Sequence, residues 1–348
     1  MYLVTRAQVR RSGIADAIVA QEIVERTFME KRAAQAVCAQ EVSMIPQQLE
    51  AGAFYSLPGY LSKANVAGVK WTTHVPKTSR HADYTNPVVV LNDLKTGVPI
   101  ALVEGQLISG LRTAGVSSTA LKYLANPETR SVLICGSGFQ AIRQLEGILP
   151  FLPRLREVHF WSRHRAHAEA MHQQFAERLQ ERGIHGRVHG NLPDRLDFAE
   201  IVLGVTSAAT PYLRPEHFSR GHLYVHIGMN DIEAEAIQAF DQIVCDDFQA
   251  GVKTSSQSLF RLARADASVE EKVALLENLL PPDSEEGNPP PVMSIRQNEQ
   301  QKLMFNAFGL PIFDLALAAE ALQRLANLGE EYLSRFDIYG EEVTTIYE

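Results

Sequence analysis

The chain has 348 residues, of which 45% are hydrophobic and 21% charged, and its formal net charge is −8. This length predicts two domains, each large enough to bury its own core. The negative balance argues against a nucleic-acid-binding surface. No apolar run approaches the length of a membrane span, and the N-terminus shows no signal-peptide pattern.

The cysteines are widely spaced and indicate a reducing compartment. Cys38, Cys135 and Cys245 show neither a disulfide framework nor the spacing of zinc ligands. Free thiols of this kind are typical of cytoplasmic proteins. The sequence therefore predicts a cytoplasmic protein with no metal site and no nucleic-acid or membrane partner.

The first third of the chain combines a long helix with a group of strands. The apolar spacing of residues 8–37 predicts the helix. Further elements follow in order: strands at 53–61, 66–75, 88–92 and 99–104, and a helix at 108–124. Neighbouring strands joined by short turns indicate an antiparallel or mixed sheet. Pro127 marks the predicted crossing into a second domain.

The second domain is organised around a glycine turn in residues 131–163. A short apolar run ending at Cys135 is typical of a buried parallel strand. Gly136, Gly138 and Ala141 then form a GxGxxA turn that opens a helix, and residues 158–161 supply the next strand. Between a strand and a helix, this turn predicts a dinucleotide site, since its backbone can approach a pyrophosphate. The alternative is a glycine turn without a ligand.

Strand and helix signals alternate through the rest of this domain, which predicts an α/β fold with a parallel sheet. Strands are predicted at 187–189, 201–205, 223–227 and 242–245. The proline-rich residues 281–291 read as an exposed loop, and the last helix covers about 314–328.

Two cationic residues of the first domain are candidates for anion binding. Lys70 lies inside an apolar strand, so its ammonium must reach solvent or meet an anion. By itself it is more simply the polar face of that strand. Arg112 is read as opening the helix 108–124, where a cation opposes the helix dipole and needs an anionic partner. A surface ion pair explains Arg112 equally well.

Candidate residues of the second domain follow two of its strands. Thr206 and Ser207 come after strand 201–205, and carboxyl ends of parallel strands bind ligands, so we expect them to line the cofactor cleft. Asp231 follows strand 223–227 and Gly228, and could exchange a proton with substrate or water. The simpler alternatives are an ordinary turn and a helix N-cap.

Taken together, these segments resemble the ornithine cyclodeaminase/μ-crystallin family, over roughly residues 50–320. The matching pieces are Gly-Val-Lys (68–70), Leu-Asn-Asp-x-x-Thr-Gly-x-Pro (91–99), Glu-Gly-x-x-Ile-Ser-x-x-Arg-Thr-Ala (104–114), Gly-Ser-Gly-Phe-Gln-Ala (136–141), Val-Thr-Ser (205–207) and Phe-Gly-Leu-Pro-Ile-Phe-Asp-Leu-Ala (308–316). Leu-Asn-Asp, Glu-Gly and His-Ile-Gly-Met-Asn-Asp-Ile (226–232) are closer to the branch of N-(2-amino-2-carboxyethyl)-L-glutamate dehydrogenases, which make 2,3-diaminopropionate for siderophores and related natural products.

The resemblance implies a fold, an assembly and a set of roles. It implies a split α+β substrate-binding and dimerisation domain (1–127 and 305–348), a Rossmann NAD(P)-binding domain (128–304) and a homodimer. Arg112 and Lys70 would hold substrate carboxylates, with Lys70 also in the catalytic site, and Asp231 would be the acid/base residue. The cofactor would contact Gly136, Ser137, Gly138, Phe139, Gln140, Ser162, Arg163, Thr206, Ser207, Ile227, Gly228, Met229 and Asn306.

The chain departs from the family pattern in two places. Family members usually carry a substrate-binding arginine shortly before the Leu-Pro-Gly-Tyr segment, whereas residues 33–62 contain neither Arg nor Lys. One carboxylate clamp is therefore missing or replaced, and Gln47 and Gln48 are the candidates for its replacement. The second Rossmann strand ends in Trp-Ser-Arg-His-Arg rather than in an acidic residue, so Ser162, Arg163 and Arg165 could accept a 2′-phosphate. NADP(H) is therefore as open as NAD(H), although Arg163 could also stack on adenine.

The leading hypothesis is an NAD(P)-dependent oxidoreductase acting on the Cα–N bond of an amino acid derivative, with 2-oxoglutarate and 2,3-diaminopropionate as products. It requires Lys70, Arg112 and Asp231 to converge on one small acid. A cyclodeaminase, which returns its hydride and releases ammonia, and an imine or ketimine reductase are alternatives within the same family. A non-catalytic NADPH-binding protein, as μ-crystallin-like members can be, is the third.

Overall fold

The computed structural model describes residues 1–47, 52–74, 85–281, 295–335 and 337–338. The chain divides into two compact units. Unit 1 comprises Met1–Arg112 and Pro311–Glu348, and unit 2 comprises Thr113–Leu310. Unit 1 is therefore discontinuous in sequence. The divisions fall after residue 112 and after residue 310, whereas the sequence placed domain boundaries after residues 127 and 304.

The helices and strands are numbered along the chain. The helices are α1 (Arg6–Arg11), α2 (Ala17–Arg32), α3 (Gly105–Leu124), α4 (Phe139–Ile148), α5 (Arg165–Glu181), α6 (Ala234–Gln238), α7 (Phe248–Thr254), α8 (Ser258–Ala265) and α9 (Pro311–Leu328). The strands are β1 (Tyr2–Val4), β2 (Ala36–Cys38), β3 (Val42–Met44), β4 (Ala53–Leu61), β5 (Val66–His74), β6 (Val88–Asp93), β7 (Pro99–Glu104), β8 (Ser131–Cys135), β9 (Glu157–Trp161), β10 (His185–His189), β11 (Ile201–Gly204), β12 (Leu223–His226), β13 (Gln242–Cys245), β14 (Val273–Leu275), β15 (Leu303–Asn306) and β16 (Ser334–Arg335). None of the helices in the described ranges is long and apolar enough to span a membrane.

Unit 1 is built on a mixed sheet with strand order β16-β1-β7-β6-β5-β4-β2, and β3 also pairs with β4. Only glycine lets α9 approach this sheet closely. A Cβ on Gly68 would lie 2.9 Å from a methyl carbon of Leu315 and 2.3 Å from the carbonyl oxygen of Val90. On the other side of α9, Phe28 of α2 packs on Phe313 with ring centroids 4.5 Å apart. Because side chains alternate along a strand, Lys70 shares the α9-facing side of β5 with Gly68.

The opposite face of the unit 1 sheet carries apolar side chains at the surface. Trp71 and Tyr60 are 39% and 37% exposed, and the ring of Phe54 lies 5.9 Å from that of Trp71. Val42 and Met44 extend this apolar face along β3, and both are exposed. Side chains of this kind seldom form a continuous solvent-facing surface in a monomer.

Unit 2 is a Rossmann-type α/β fold, as the sequence predicted. Its sheet has the order β10-β9-β8-β11-β12-β15-β13-β14, and every neighbouring pair is parallel. The carboxyl ends of all these strands therefore lie at one edge. The order reverses between β8 and β11, and ligands of open α/β sheets bind at the carboxyl ends beside such a reversal.

The structure differs from the sequence prediction at one helix and at one strand. The helix predicted over residues 8–37 is two helices, because Gly13 has a φ of +82° and the Asp16 carboxylate caps a new helix by accepting from the N–H groups of Ile18 and Val19. The chain then enters strand β2 at Ala36. Strand β15 was not predicted and lies between β12 and β13. Residues 282–291 of the predicted loop lie outside the described ranges.

Candidate active site

A buried ion cluster of unit 1 contains the first group of candidate residues. The Lys70 ammonium donates to Oδ2 of Asp314 at 3.0 Å, and Nε of Arg112 lies 3.2 Å from the same oxygen. Lys70 is 4% exposed and Asp314 is completely buried. Asp314 lies in the first turn of α9, where the helix dipole favours a carboxylate. The cluster therefore joins β5, α3 and α9.

The charges of this cluster do not cancel. Burial lowers the pKa of Lys70, Asp314 raises it, and Arg112 lowers it again. Two cations share one carboxylate oxygen, while Oδ1 of Asp314 has no hydrogen-bond partner among the described residues. A buried group with a surplus cation is suited to an anion, since an additional carboxylate would complete its charge balance.

The reasoning about Arg112 needs one correction. Helix α3 begins at Gly105, not at residue 108, because a carboxylate oxygen of Glu104 accepts from the N–H of Leu107 at 3.0 Å and caps the helix start. Arg112 therefore lies well inside the helix, and the argument from the N-terminal dipole was wrong. Its anionic partner is Asp314, and its side chain is 12% exposed, so it is not part of a surface ion pair.

Asp314 was missed as a site residue. It was visible in the segment Phe-Gly-Leu-Pro-Ile-Phe-Asp-Leu-Ala as an acidic residue in the first turn of an otherwise apolar helix. A carboxylate buried in such a position requires a cation. That requirement could have led to Lys70 and Arg112, although the sequence alone does not show that they meet.

A separate group of candidate residues lies in unit 2 and begins at the glycine turn. Gly136 has a φ of +125°, and a Cβ there would lie 2.3 Å from the carbonyl oxygen of Val205. Gly138 is the N-cap of α4, has no side-chain cap, and a Cβ on it would meet nothing within 4 Å. The first-turn N–H groups of α4 therefore have no side chain bound to them and face an open approach, as a pyrophosphate requires.

The other predicted cofactor residues lie at the same edge of the sheet or in the turn itself. Those of the turn are Ser137, Phe139 and Gln140; those after β9 are Ser162 and Arg163; those after β11 are Thr206 and Ser207; those after β12 are Ile227, Gly228 and Met229. Asn306 ends β15 and is completely buried, where its oxygen lies 2.7 Å from Nδ1 of His226 and its amide donates to Gln257. The Asn306 side chain is therefore held internally.

The residues that follow β9 differ in their side-chain partners. Ser162 is buried and accepts a 3.2 Å hydrogen bond from Ser137. The Arg165 guanidinium pairs with Glu169 at 2.7 Å, whereas Arg163 is exposed and makes no ion pair among the described residues. No carboxylate occupies position 162, where an NAD-specific site would bind the ribose hydroxyls.

Asp231 is a completely buried acid of unit 2. Its Oδ2 accepts from the Thr206 backbone N–H at 3.2 Å, and its Oδ1 accepts from the Thr206 hydroxyl. Burial raises its pKa to about 6, although both hydrogen bonds from Thr206 act to lower it. It is not a helix N-cap, because Glu233 precedes α6. A carboxyl with a pKa near neutrality can both take and return a proton.

Two glycines make room for this carboxylate. A Cβ on Gly228 would lie 2.1 Å from Oδ2 of Asp231, and one on Gly204 would lie 2.9 Å from the same oxygen. Any side chain at either position would displace the acid. Gly204 was not recognised in the sequence, since it reads as the last residue of an apolar strand.

The structure thus forms two groups from the predicted residues. Lys70 and Arg112 meet in unit 1, while Asp231, Thr206 and Gly228 meet in unit 2 beside the end of β11. Gln48 lies outside the described residues, and Gln47 is exposed. That the two groups act on one substrate stays a prediction. Within the described ranges, no cluster of three or more His, Cys, Asp or Glu side chains has the arrangement of a metal site.

The parallel sheet with its order reversal, the uncapped glycine turn and the buried acid beyond β12 define a protein of the Rossmann dinucleotide-binding class. The sequence model of the ornithine cyclodeaminase/mu-crystallin family matches residues 5–244. The chain belongs to this family, as the motifs indicated.

Individual relatives share less than a third of their aligned residues with this chain. An N-((2S)-2-amino-2-carboxyethyl)-L-glutamate dehydrogenase of Staphylococcus aureus is 28% identical over 187 residues, which are 53% of this chain and 54% of that protein. The chain thus spans about half of this relative. A Delta(1)-pyrroline-2-carboxylate reductase of Bacillus thuringiensis is 24% identical over 78% of this chain and 82% of the reductase.

Among solved structures, the fold resembles Thermococcus litoralis Delta(1)-pyrroline-2-carboxylate reductase in complex with NADH and L-proline. The TM-score is 0.83 at 22% identity, and the superposition covers 97% of this chain and 100% of the reductase. At this level of identity the likeness shows the fold.

Proposed function

We propose that this protein is an NAD(P)-dependent oxidoreductase that acts on the Cα–N bond of an amino acid derivative. The observation that carries this proposal is Asp231, a buried carboxyl with a pKa raised to about 6, held by Thr206 directly after a Rossmann strand. Relatives of known activity support it, because the family members described above are dehydrogenases and reductases of amino or imino acids.

The cofactor is proposed to bind at the carboxyl edge of the unit 2 sheet. Gly136, Gly138 and the first turn of α4 fit a pyrophosphate, because the N–H groups are uncapped and no side chain blocks Gly138. Thr206, Ser207 and the backbone of 227–229 are proposed to lie nearer to the nicotinamide. When bound, NAD(P)⁺ supplies an acceptor for the hydride that leaves the substrate Cα.

Of the two dinucleotides, the residues after β9 favour NADP(H). Ser162 can donate a hydrogen bond to a 2′-phosphate, and the Arg163 guanidinium, which makes no ion pair, can pair with it. An acidic residue at this position would repel that phosphate, and the chain has none there. Arg165 is already paired with Glu169, so it contributes less.

The substrate carboxylate is proposed to bind the ion cluster of unit 1. Lys70 and Arg112 carry one positive charge more than Asp314 neutralises, so an α-carboxylate completes the balance. Asp314 holds both cations in place. A carboxylate fixed in this way orients the adjacent Cα, which is the atom that loses hydride.

The favoured substrate is N-(2-amino-2-carboxyethyl)-L-glutamate. Loss of hydride from the glutamate Cα of the neutral amine leaves an iminium ion, and Asp231 as a base then takes a proton from the water that attacks its carbon. Asp231 returns the proton to nitrogen as the carbinolamine collapses. Substrate, NAD(P)⁺ and water thereby give 2-oxoglutarate, 2,3-diaminopropionate, NAD(P)H and a proton. The motif branch and the Staphylococcus relative support this substrate, and a role in siderophore-type biosynthesis rests on the same branch.

A second candidate is an imine reductase, which would reduce a cyclic or linear imino acid with NAD(P)H. The length of the alignments favours it, since the Bacillus reductase aligns over 78% of this chain and the Staphylococcus dehydrogenase over 53%. Both reactions use the same proposed roles of Lys70, Arg112 and Asp231.

Absorbance of the reduced nicotinamide tests the proposal directly. Incubation of the purified protein with N-(2-amino-2-carboxyethyl)-L-glutamate and NADP⁺ or NAD⁺ is expected to produce NAD(P)H and an equal amount of 2-oxoglutarate. Oxidation of NADPH by pyrroline-2-carboxylate without activity on the first substrate would establish the reductase instead. Ammonia release without net change in NAD(P)H would indicate a cyclodeaminase, and tight NADPH binding without any turnover would indicate a binding protein.

The protein is proposed to act as a homodimer in the cytoplasm. The exposed apolar face around Trp71 and Tyr60 is suited to pair with the same face of a second copy, as in isologous dimers. Cys135 and Cys245 are buried and form no disulfide, which fits a reducing compartment.

A further inference from the structure

Glu41 introduces a negative charge beside the anion-binding cluster of unit 1. It is half-buried, and the chain around it, residues 33–62, contains no Lys or Arg. Its carboxyl and the Lys70 ammonium lie close enough to influence each other's pKa. The residue therefore belongs to the surroundings of the cluster, although no sequence motif singles it out.

The strand register relates the position of Glu41 to that of Lys70. Glu41 directly precedes strand β3, in which Val42 pairs with Ser56. Continued by one residue, this register would place Glu41 opposite Leu57, and Leu57 pairs with Lys70 on the next strand. Directly opposite residues of antiparallel strands project from the same face. Glu41 and Lys70 are thus two strands apart, about 10 Å between their Cα atoms, on the side of the sheet that carries Asp314.

A bulge determines this orientation. Cys38 pairs with Gly59 and Val42 with Ser56, so the three residues 39–41 lie opposite only two residues of β4. The N–H of Ala39 donates to the Pro58 carbonyl at 3.1 Å and continues the β2 register to that point. An extra residue in one strand re-aims the side chains that follow it, and bulges of this kind occur beside active sites.

The charge balance defines what Glu41 binds. Lys70, Arg112 and Asp314 leave one positive charge, which one substrate carboxylate neutralises. With that carboxylate bound, the ionised Glu41 is left without a counter-charge. Burial raises the pKa of Glu41 and Lys70 lowers it, so its ionised form is stabilised when a further cation is present. A ligand carrying both a carboxylate and an ammonium satisfies every group.

We propose that Glu41 binds an ammonium group of the substrate and restricts the enzyme to amino acid derivatives that carry a free amino group besides the nitrogen that is oxidised. This inference rests on the proposed function and names the substrate class of the same site. The free amino group of N-(2-amino-2-carboxyethyl)-L-glutamate is such a group. An imino acid such as pyrroline-2-carboxylate has no second nitrogen and leaves Glu41 unpaired.

The test compares N-(2-amino-2-carboxyethyl)-L-glutamate with N-(2-carboxyethyl)-L-glutamate, which lacks only the ammonium. Binding is measured calorimetrically on the protein loaded with NADPH, which cannot accept hydride, so no turnover disturbs the titration. The wild type is expected to bind the amino compound about 10- to 100-fold more tightly, as for a hydrogen bond between charged groups. Glu41→Gln is expected to bind both compounds about equally by losing affinity for the amino compound alone. Glu22→Gln, at an exposed position of α2, is the matched control and should keep the preference.

Equal affinity of the wild type for the two compounds would overturn the proposal. So would an equal loss of both affinities in Glu41→Gln, because Glu41 would then act only by holding Lys70. The amino compound could also bind with the predicted preference but not be oxidised when NADP⁺ or NAD⁺ replaces NADPH. That result would overturn the proposed function and leave the ammonium site standing. If neither compound binds to the NADPH-loaded protein, both the ammonium site and the proposed substrate are wrong.

Discussion

The Lys70 ammonium and the Asp314 carboxylate, 244 residues apart in sequence, form a buried 3.0 Å ion pair between a strand and the first turn of a helix. The pair joins the two segments that make unit 1. Neither charge could be buried alone, because removing one partner leaves the other uncompensated. The pair therefore contributes both to the stability of this unit and to the proposed anion site.

Asp314→Asn should consequently destabilise the protein and weaken substrate binding. The two cations would lose their only buried carboxylate among the described residues, which costs about 3–5 kcal/mol when a buried pair is broken. Urea unfolding measures the loss, and the Michaelis constant reports substrate binding. Glu22→Gln on the surface of α2 should remain within about 0.5 kcal/mol of the wild type. An Asp314→Asn variant as stable as that control would contradict the role of the pair.

Asp231→Asn is expected to lower kcat about 10²- to 10⁴-fold, the usual contribution of general acid–base catalysis, while the affinity for NADPH changes little. The wild-type kcat/KM for amine oxidation should fall as the pH drops through about 6, because a base must be ionised. Steady-state kinetics across pH and fluorescence titration with NADPH measure the two effects. A fully active Asp231→Asn enzyme would remove this residue from the mechanism.

The same substitution should change how stability depends on pH. The folded carboxyl has a pKa of about 6 against 3.8 for a free one, so the folded state binds its proton more tightly than the unfolded state does. Stability is therefore lost as the pH rises from 3.8 to about 6. Asp231→Asn lacks this loss. Urea unfolding measures the free energy of unfolding of the variant minus that of the wild type, and this difference should be more favourable to the variant above pH 6 than below pH 3.8.

Gly138→Ala and Gly136→Ala should fail in different ways. The added methyl group at Gly138 meets no protein atom within 4 Å, so the fold should persist while NADPH affinity falls at least about tenfold from a steric clash with the pyrophosphate. At Gly136 the methyl group would lie 2.3 Å from the carbonyl oxygen of Val205, and the variant should unfold at lower temperature. Gly97 also has a positive φ, but a Cβ there would meet nothing within 4 Å. Gly97→Ala therefore measures the loss of stability that the positive φ alone causes. Normal NADPH affinity in Gly138→Ala would locate the pyrophosphate elsewhere.

Ser162→Asp should shift cofactor preference from NADP⁺ towards NAD⁺. A carboxylate at this position would repel the 2′-phosphate and bind the ribose hydroxyls instead. Arg163→Ala should weaken NADP⁺ binding alone, whereas Arg165→Ala should matter less because Arg165 pairs with Glu169. The ratio of kcat/KM for the two cofactors is the measurement. An unchanged ratio in both Ser162→Asp and Arg163→Ala would show that the phosphate is not recognised after β9.

Trp71→Glu should disrupt the proposed homodimer. A charge in the middle of the exposed apolar face cannot be buried against a second copy. Light scattering of the wild type is expected to give twice the mass of the 38.6 kDa chain, and the variant one chain mass. Leu328→Glu, at an exposed position at the end of α9, controls for added charge and should remain dimeric. A monomeric wild type would exclude the dimer.

The sequence predicted helices and strands well where the spacing of apolar residues followed a single helical or strand period. The strand at 53–61 coincides with β4 and that at 99–104 with β7, since flanking turn residues mark both ends. The start of α3 was misplaced because its cap, Glu104, belongs to the preceding strand and its side chain turns back. Asp314 carried a signal, as an acid in an otherwise apolar helix, but its two cationic partners are brought to it only by the fold. Glu41 could not be selected, since its importance depends on its position relative to Lys70 in the sheet.

The discontinuity of unit 1 has a consequence for its biosynthesis. Helix α9 leaves the ribosome only after the whole of unit 2 has been translated, so the nascent sheet must wait for its covering helix. During that interval Lys70 has no Asp314, and the surfaces of Gly59 and Gly68 that receive Ile312 and Leu315 stay uncovered. The Rossmann unit can complete its core earlier, because domains fold as they emerge. Truncated chains that stop before Pro311 should therefore depend on chaperones.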